Sequence, residues 1–369
     1  MSRSCQGTPP CILSVQFHHE STVRTQPGKA VPSSTPALAY CFILAVGPVL
    51  FGRELPSGEV EYRELRWGDF LSYQKLMPQA PGEFERATGL DQATNDLFQY
   101  LHRRSTWTLL SLMRSLGRAP IRFFVGVDRG TVVGSAGLVP LPKAGYVVAV
   151  VTDYAARNRG IASTILEKIR GVVHAQGRPW IALDVESDNE TAVRLYRKLG
   201  YEERARFEWH VGATPTVVAP AEGQVSEVPR SGQQELATWV RLHQPEVLRE
   251  QLPATARMLS HLENVAQMPG SKSRTWRLTS SDKTITAVRG YYLPSIKSVF
   301  MIPGAWDPSL SADSILSLLA PAVAWARSER ATRTEVVVPV ESDAWRQAAQ
   351  ALSLPMAVST LLMSRPSSP

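Results

Sequence analysis

A short basic segment that contains one glycine, Arg157-Asn-Arg-Gly160-Ile-Ala162, stands between an apolar run and a stretch of helical periodicity. The preceding run, residues 146–152, is continuously apolar and rich in β-branched residues, which predicts a strand buried on both faces. The following stretch, residues 161–173, has apolar residues at the spacing of a helix with one buried face. Gly160 therefore falls at a helix N-terminus, where unpaired N–H groups and the helix dipole favour a phosphate.

A tyrosine follows on the next predicted helix. Residues 180–186 have the pattern of a second strand, and Asn189 can cap a helix that ends near Gly200. Tyr196 shares one face of that helix with three apolar residues, so we expect it to point toward the sheet. The two segments together indicate a site for a phosphate-rich cofactor beside a proton donor.

These residues resemble the GCN5-related N-acetyltransferase (GNAT) superfamily, whose diphosphate loop follows the pattern Arg/Gln-x-x-Gly-x-Gly/Ala. The segment 157–162 fits that pattern. The family's downstream pattern is matched by Leu183, Val185, Asn189, Ala192, Leu195-Tyr196 and Gly200-Tyr201. The resemblance covers residues 59–211 and implies an α/β (α+β) fold with a mixed central sheet of the acyl-CoA N-acyltransferase type.

The resemblance also implies direct transfer of an acetyl group from acetyl-CoA to an amine. The departing thiolate needs an acid, and Tyr196 matches the family's acid. The family positions that would bind the cofactor correspond here to Val150, Thr152, Arg157, Asn158, Arg159, Gly160, Ile161, Ala162 and Asn189. Simpler roles stay open: the tyrosine can pack in the core, the asparagine can serve only as a helix cap, and the arginines can be surface charges.

The base that deprotonates the amine is less well defined. Asp184 aligns with a carboxylate that some family members use as a base, although those members have a longer glutamate. Glu186 lies on the same strand face by two-residue alternation and competes for this role. A bound water chain could replace either carboxylate, and Asp184 could equally be a solvated or paired surface group.

The segment upstream of the loop fits the element order of the same fold. Its pattern predicts an edge strand, two helices and a hairpin whose turn is Asp128-Arg-Gly130. The predicted elements are the strand 59–65, the helices 70–77 and 90–116, and the strands 121–127 and 131–137.

An internal repeat indicates two similar halves in tandem. The sequence Val-Glu-Ser-Asp at 185–188 recurs at 340–343, and this offset aligns a second set of elements with the first. The predicted second set comprises two helices within 235–266, strands 275–278, 285–292 and 296–302, helices 314–327 and 344–354, and a closing strand 357–364. At that offset Ile315, Ala351 and Ala344 replace Gly160, Tyr196 and Asn189. We therefore expect a catalytic domain, 58–211, a linker, 212–223, and a degenerate GNAT-like domain, 224–366, that acts as a structural partner.

The composition is consistent with two compact domains. The chain has 369 residues, of which 44% are hydrophobic, and this is enough for two cores of ordinary size. A net charge of +7 and a pI near 9.4 suit an anionic cofactor. Because no arginine-rich helix or alternation of basic and aromatic residues is present, we do not expect a nucleic-acid partner. The oligomeric state cannot be read from the sequence.

The first 57 residues differ from the rest and are expected to be disordered, either as part of the protein or as an upstream extension from a misplaced start codon. They contain all three cysteines. Cys5, Cys11, His18 and His19 have the chemistry of zinc ligands, but their spacing matches no familiar site, so we expect no metal.

The apolar stretch 37–52 is too short for a comfortable membrane span, so we expect no membrane segment. The two domains contain no cysteine and are compatible with the reducing cytoplasm, where acetyl-CoA is available.

Three functions are consistent with this reading. The first is an N-acetyltransferase that acts on a primary amine of a small molecule, a peptide or a protein. The second is an acyl-CoA-binding regulatory protein without turnover, and the third is a basic nucleic-acid-binding scaffold. The first accounts for the loop and the tyrosine together.

Overall fold

A computed structural model describes residues 59–77, 121–216, 224–243 and 270–368, except the single positions 142, 282, 306 and 308, and in addition residues 108, 111, 112 and 119. All of these residues belong to one compact unit, Leu55–Pro369. The predicted helix 90–116 is described at too few positions to test, and the cysteine-containing segment and the apolar stretch 37–52 lie outside the described residues.

The described N-terminal half alternates strands and helices in the order expected from the sequence. Its elements are β1 (Glu61–Glu64), α1 (Phe70–Leu76), β2 (Arg122–Asp128), β3 (Thr131–Pro140), β4 (Ala144–Thr152), α2 (Ile161–Ala175), β5 (Trp180–Glu186), α3 (Glu190–Lys198) and β6 (Glu202–Ala213). The first part of β4 is buried as predicted, whereas Val148–Val150 are half-buried.

The C-terminal half repeats this order. Its described elements are β7 (Gln224–Glu227), α4 (Gln233–His243), β8 (Lys272–Ser280), β9 (Lys283–Leu293), β10 (Ser298–Ala305), α5 (Ala312–Ser328), β11 (Arg333–Pro339), α6 (Asp343–Ala351) and β12 (Met356–Pro366). The three strands predicted before the long helix are confirmed, as are the long helix, the last helix and the closing strand. Of the two helices predicted within 235–266, the described residues contain the first.

The strands form one 12-stranded mixed sheet in which the two halves exchange their closing strands. The order is β1-β2-β3-β4-β5-β12-β6-β11-β10-β9-β8-β7. β12 pairs antiparallel with β5, and β6 pairs antiparallel with β11, so each half is completed by the last strand of the other. The sequence predicts the closing strand 357–364 but does not reveal this exchange.

Helices cover both faces of the sheet. In the N-terminal half, α2 and α3 pack over alternate residues of β4 and β5, such as Val147 and Leu183. In the C-terminal half, α5 and α6 pack over the same face of the sheet, for example over Val336 of β11. α1 and α4 contact the opposite face. On that opposite face, a core that includes Trp209 and Phe300 joins the strands of both halves.

The repeat offset used in the sequence analysis is wrong by two residues. The elements β5 and β11 have the same length, seven residues, and α3 and α6 both have nine, so each pair can be aligned from end to end. The distance along the chain between the starts of either pair is two residues shorter than the distance between the two Val-Glu-Ser-Asp sequences. The element-based counterparts of Asn189 and Tyr196 are therefore Ser342 and Ala349, instead of Ala344 and Ala351. Gly160 is the N-cap of α2 and Ser311 is the N-cap of α5, so Ser311 replaces Ile315 as the counterpart of Gly160.

Candidate functional site

Strands β4 and β5 pair at their beginnings and then separate. Their parallel pairing runs from Ala144 and Trp180 to Val147 and Leu183, whereas the strands continue to the ends given above. A bulge in β4 accompanies the separation, because the register with β3 shifts at this point and Ala149 has a positive φ of 51°. The separated parts of the two strands define an opening that we call the β4–β5 gap.

The segment after β4 turns sharply into α2. Asp153 accepts a hydrogen bond from the Ala155 N–H at 2.8 Å and caps a single 3₁₀ turn. Asn158 and Gly160 then take left-handed backbone conformations, with φ of 62° and 77°. Gly160 is the N-cap of α2, and an added Cβ there would meet no atom within 4 Å. The N-terminus of α2 thus faces open space, as the loop prediction requires.

The two arginines of this loop are held by different partners. The Arg157 guanidinium lies 3.8 Å from the centroid of the Tyr154 ring, and its Nε donates to the Thr152 carbonyl at 3.4 Å. Arg159 Nη1 donates to Asp128 Oδ2 at 2.9 Å. This charged hydrogen bond lowers the pKa of Asp128, and Arg129 lowers it further. The sequence identified Asp128 only as part of a hairpin turn.

Ile161 belongs to the core. Its side chain is buried, and an added Cβ at Gly134 would lie 2.5 Å from Ile161 Cγ2. The first turn of α2 therefore lies close to the sheet because glycine leaves room for it. Of the predicted loop positions, Ile161 has only its backbone available for a ligand.

Tyr196 points toward the sheet, as predicted. Its ring is buried and lies edge-on to Tyr201, with 5.8 Å between the centroids. Burial raises the pKa of Tyr196, because the phenolate would lose its hydration. The hydroxyl thus keeps its proton at neutral pH, which is the state that an acid needs.

Asp184 approaches the gap from the other face of the sheet. Leu183 and Val185 pack in the same core as Tyr196, so the alternating Asp184 side chain lies on the opposite face. The Tyr146 hydroxyl donates a hydrogen bond to Asp184 Oδ2. Tyr196 and Asp184 therefore lie on opposite faces of the sheet, and the half-buried Glu186 follows two residues after Asp184.

The remaining predicted positions lie around the gap and its edges. Val150 and Thr152 are half-buried on the separated part of β4. Asn189 caps α3, since its side chain accepts a hydrogen bond from the Ala192 N–H at 3.1 Å. The cap uses the amide oxygen and leaves the amide N–H groups as donors.

The exchanged strand β12 forms the other border of β5. In the antiparallel register Leu362 lies opposite Asp184, and Thr360 lies opposite Glu186. The Trp209 indole N–H donates to Thr360 Oγ1 at 3.3 Å. Residues of the C-terminal half thus lie next to the carboxylates of the N-terminal half, a feature that spacing within one half cannot predict.

The corresponding gap in the C-terminal half is lined differently. β10 and β11 also pair over four positions, from Ser298–Arg333 to Met301–Val336. Trp345, the element-based counterpart of Ala192, is completely buried in the local core. Ala349 has no hydroxyl, and Asp313 places a carboxylate in the first turn of α5.

Neither a metal cluster nor a membrane-spanning helix is found in the part of the chain that the structure describes. The described residues contain no group of three or more His, Cys, Asp or Glu side chains that could hold a metal ion. Within the same residues, no helix is both long enough and apolar enough to cross a bilayer.

Part of the chain is similar in sequence to known acetyltransferases. Residues 88–201 match the model of the acetyltransferase (GNAT) family. An acetyltransferase of Sodalis glossinidius (strain morsitans) is 36% identical over 95 residues, which cover 25% of this chain and 66% of that protein. The match therefore spans just under two thirds of that relative's length.

Two solved structures are similar over most of the chain. A GCN5-related N-acetyltransferase from Sphaerobacter thermophilus has a TM-score of 0.53, with 14% identity over 84% of this chain and 96% of that one. A tandem GNAT protein from the clavulanic acid biosynthesis pathway has a TM-score of 0.51, with 14% identity over 84% and 99%. At this identity the likeness concerns the fold, which is the GNAT fold predicted from the sequence.

Proposed function

We propose that the N-terminal half transfers an acetyl group from acetyl-CoA directly to a primary amine, a proposal that the match of residues 88–201 to the acetyltransferase (GNAT) family model supports. The observation that carries this proposal is the β4–β5 gap, because β4 leads into the exposed N-cap of α2 and β5 carries Asp184 directly after its last residue paired with β4. The buried Tyr196 supports it from the helix side of the sheet. The amine belongs to a small molecule, a peptide or a protein.

The cosubstrate binds along one continuous path in this proposal. The backbone N–H groups of residues 157–162 hold the diphosphate with the help of the positive end of α2, and Arg157 adds charge. The backbone of Val150 and Thr152 on the separated part of β4 binds the pantetheine arm. Asn189 contributes its amide N–H groups from the start of α3.

Two side chains move protons on either side of the gap. Asp184, held by the Tyr146 hydroxyl, accepts the proton that the ammonium group must lose before it can react. The amine nitrogen bonds to the thioester carbonyl carbon, the carbon–sulfur bond breaks, and the departing thiolate takes the proton of Tyr196. The second proton, which the acylated nitrogen loses, returns through water to the tyrosine oxygen, and Asp184 releases the first proton to solvent. Glu186 and a water chain are the alternative bases.

The C-terminal half is a structural partner in this proposal. Ala349 cannot donate a proton, Asp313 would repel a phosphate at the start of α5, and the Trp345 ring fills space beside α6. Its closing strand β12 forms a wall of the acceptor site through Thr360 and Leu362. One chain should therefore bind one molecule of coenzyme A. We propose the cytoplasm as its location, since acetyl-CoA is found there.

Release of free thiol from acetyl-CoA in the presence of a panel of amines tests the proposal on the full chain. Tyr196→Phe should lower the rate by about 10²- to 10⁴-fold, the usual range for one proton-transfer group, with little change in coenzyme A affinity. Tyr201→Phe is the matched control, because it removes the hydroxyl of the neighbouring buried ring, and it should react at the wild-type rate.

The other outcomes separate the competing functions. Coenzyme A binding without thiol release for any amine would favour an acyl-CoA-binding regulatory protein. Absence of coenzyme A binding to the wild-type chain would overturn the cofactor assignment. Wild-type rates in Tyr196→Phe would remove the tyrosine from the acid role.

A further inference from the structure

The loop before α2 contains a backbone conformation that needs support from its surroundings. Asn158 and Gly160 both have positive φ, at 62° and 77°, and only one residue, Arg159, separates them. A left-handed conformation is unfavourable for a residue with a side chain, and it persists where neighbouring contacts hold it. The side chain of Arg159 provides such a contact, because it is tied to a different part of the sheet.

The anchor for that side chain is Asp128 at the end of β2. The Asp128 side chain is 10% exposed and the Arg159 side chain 42%, so the carboxylate is the fixed member of the pair. Asp128 pairs with Thr131 at the end of the β2–β3 hairpin, and Arg129 and Gly130 form the two-residue turn between them. A hydrogen bond of 2.9 Å to this rigid hairpin therefore restrains the middle of the loop.

We propose that Asp128 is a positioning residue, which holds the diphosphate-binding loop in its binding conformation through Arg159. Arg157 then makes the main side-chain contact with the diphosphate. This inference rests on the proposed function, since it concerns the same cosubstrate. It adds to that function a residue outside the loop motif and a division of roles between the two arginines.

Electrostatics alone leads to the opposite expectation for the coenzyme A affinity. A carboxylate near an anion site repels a diphosphate, and Asp128 also neutralises the charge of Arg159. If this repulsion dominated, removing the carboxylate would tighten coenzyme A binding. If positioning dominates, removing the carboxylate weakens binding, because the loop loses its anchor. The sign of the change decides between the two.

The test is the coenzyme A affinity of the full chain with Asp128→Asn, measured by calorimetry. We expect binding to weaken by about 5- to 10-fold, because the asparagine replaces a charged hydrogen bond to Arg159 with a weaker neutral one. Glu227→Gln makes the same change in net charge at an exposed ion pair, where Arg274 Nη1 lies 3.0 Å from the carboxylate, and it should leave the affinity unchanged. Pantetheine, which lacks the diphosphate, should bind Asp128→Asn and the wild type equally.

A second variant tests whether Asp128 acts through Arg159. Arg159→Met should weaken coenzyme A binding at least as much, and adding Asp128→Asn to it should cause no further loss. If Asp128→Asn unfolds the chain, which thermal denaturation would reveal, Arg159→Met alone still tests the role: unchanged affinity overturns the inference. Equal or tighter binding by a folded Asp128→Asn also overturns it. Failure of the wild type to bind coenzyme A would instead contradict the proposed function.

Discussion

Gly160 and Gly177 stand at the two ends of α2, and both take left-handed backbone conformations, with φ of 77° and 68°. An added Cβ would meet no atom within 4 Å at either position. A side chain at either glycine therefore meets the same backbone strain and no clash. The two ends differ in electrostatics, because the N-terminal end presents N–H groups and the C-terminal end presents carbonyl groups. Substitutions at these two glycines therefore distinguish the effect of lost ligand contact from the effect of backbone strain.

Gly160→Glu should abolish or strongly weaken coenzyme A binding. A glutamate at this position places a carboxylate where the diphosphate is expected, and we expect the affinity to fall by about 100-fold or more. Gly177→Glu should lose a similar amount of stability, about 1 kcal/mol, and keep the wild-type affinity. Calorimetry with coenzyme A and thermal denaturation of both variants measure the two effects. Wild-type affinity in Gly160→Glu would contradict the loop assignment.

Which site residues could be predicted from the sequence depends on how far apart the interacting groups lie. Tyr196 could be placed on the buried face of α3 because helical spacing alone determines that face. The contacts of Arg159 with Asp128 and of Asp184 with Tyr146 join groups 31 and 38 residues apart. No spacing rule within one element predicts such contacts, so both partners were missed.

At the level of elements, strongly periodic segments were predictable and their equivalence between the halves was not. The four-residue repeat matches Val185, inside β5, with Val340, which follows the end of β11. A short identity is a weaker guide than the ends of whole elements, which agree on one spacing for both β5–β11 and α3–α6. The sequence also gave no indication that Gly134 makes room for Ile161, since this contact arises only when α2 packs on the sheet.

Strand β11 contains a buried glutamate, Glu335, whose side chain lies on the same face of the sheet as that of Val337. Glu335 is completely buried and accepts a hydrogen bond from Ser298 Oγ at 2.7 Å. Its second carboxylate oxygen has no hydrogen-bond partner among the residues that the structure describes. Burial raises the pKa of Glu335 well above its ordinary value of 4.5, and the Ser298 hydrogen bond and the charge of Arg333 oppose that change. Above pH 4.5 the folded state therefore keeps a proton that the unfolded state releases.

Glu335→Gln should stabilise the protein at mildly alkaline pH. Because the folded state of the wild type binds the extra proton, its stability falls as the pH rises from 4.5 toward the raised pKa. The glutamine stays neutral, so this decline should disappear. We expect a gain of about 1–3 kcal/mol near pH 8 and little change near pH 4. Urea denaturation across this range measures it, with Glu227→Gln as the exposed control. Equal pH profiles for Glu335→Gln and the wild type would contradict the prediction.

At the scale of the whole molecule, the exchange of closing strands makes each half part of the other's core. Val358, Leu361, Leu362 and Met363 of β12 are buried. Four such side chains are worth about 6–12 kcal/mol of apolar burial, comparable to the whole stability of an ordinary domain. Glu208 on β6 adds a polar link, because its carboxylate accepts from Arg346 Nε on α6 at 3.0 Å and lies 3.2 Å from His210 Nε2.

The exchange could not be predicted from the sequence because both closing strands have similar patterns. A strand that alternates apolar and polar residues is compatible with the edge of either half, and its own half is the default partner. The tertiary arrangement selects the other half through a register that places Leu362 beside Asp184 and Trp209 beside Val337. The N-terminal half is consequently closed by β12 and not by its own last strand.

Residues 1–216 produced alone should therefore fail to form a stable monomer. Without β12, strand β5 has an unpaired edge, and the core on that side loses the four buried side chains named above. We expect aggregation, or a dimer that supplies the strand from a second copy, with no coenzyme A binding as a monomer. Co-expression with residues 217–369 is the control, and it should restore a one-to-one complex that binds coenzyme A. Size-exclusion chromatography with light scattering, followed by calorimetry, measures both. A monomeric fragment that unfolds cooperatively and binds coenzyme A would show that β6 can close the half in place of β12.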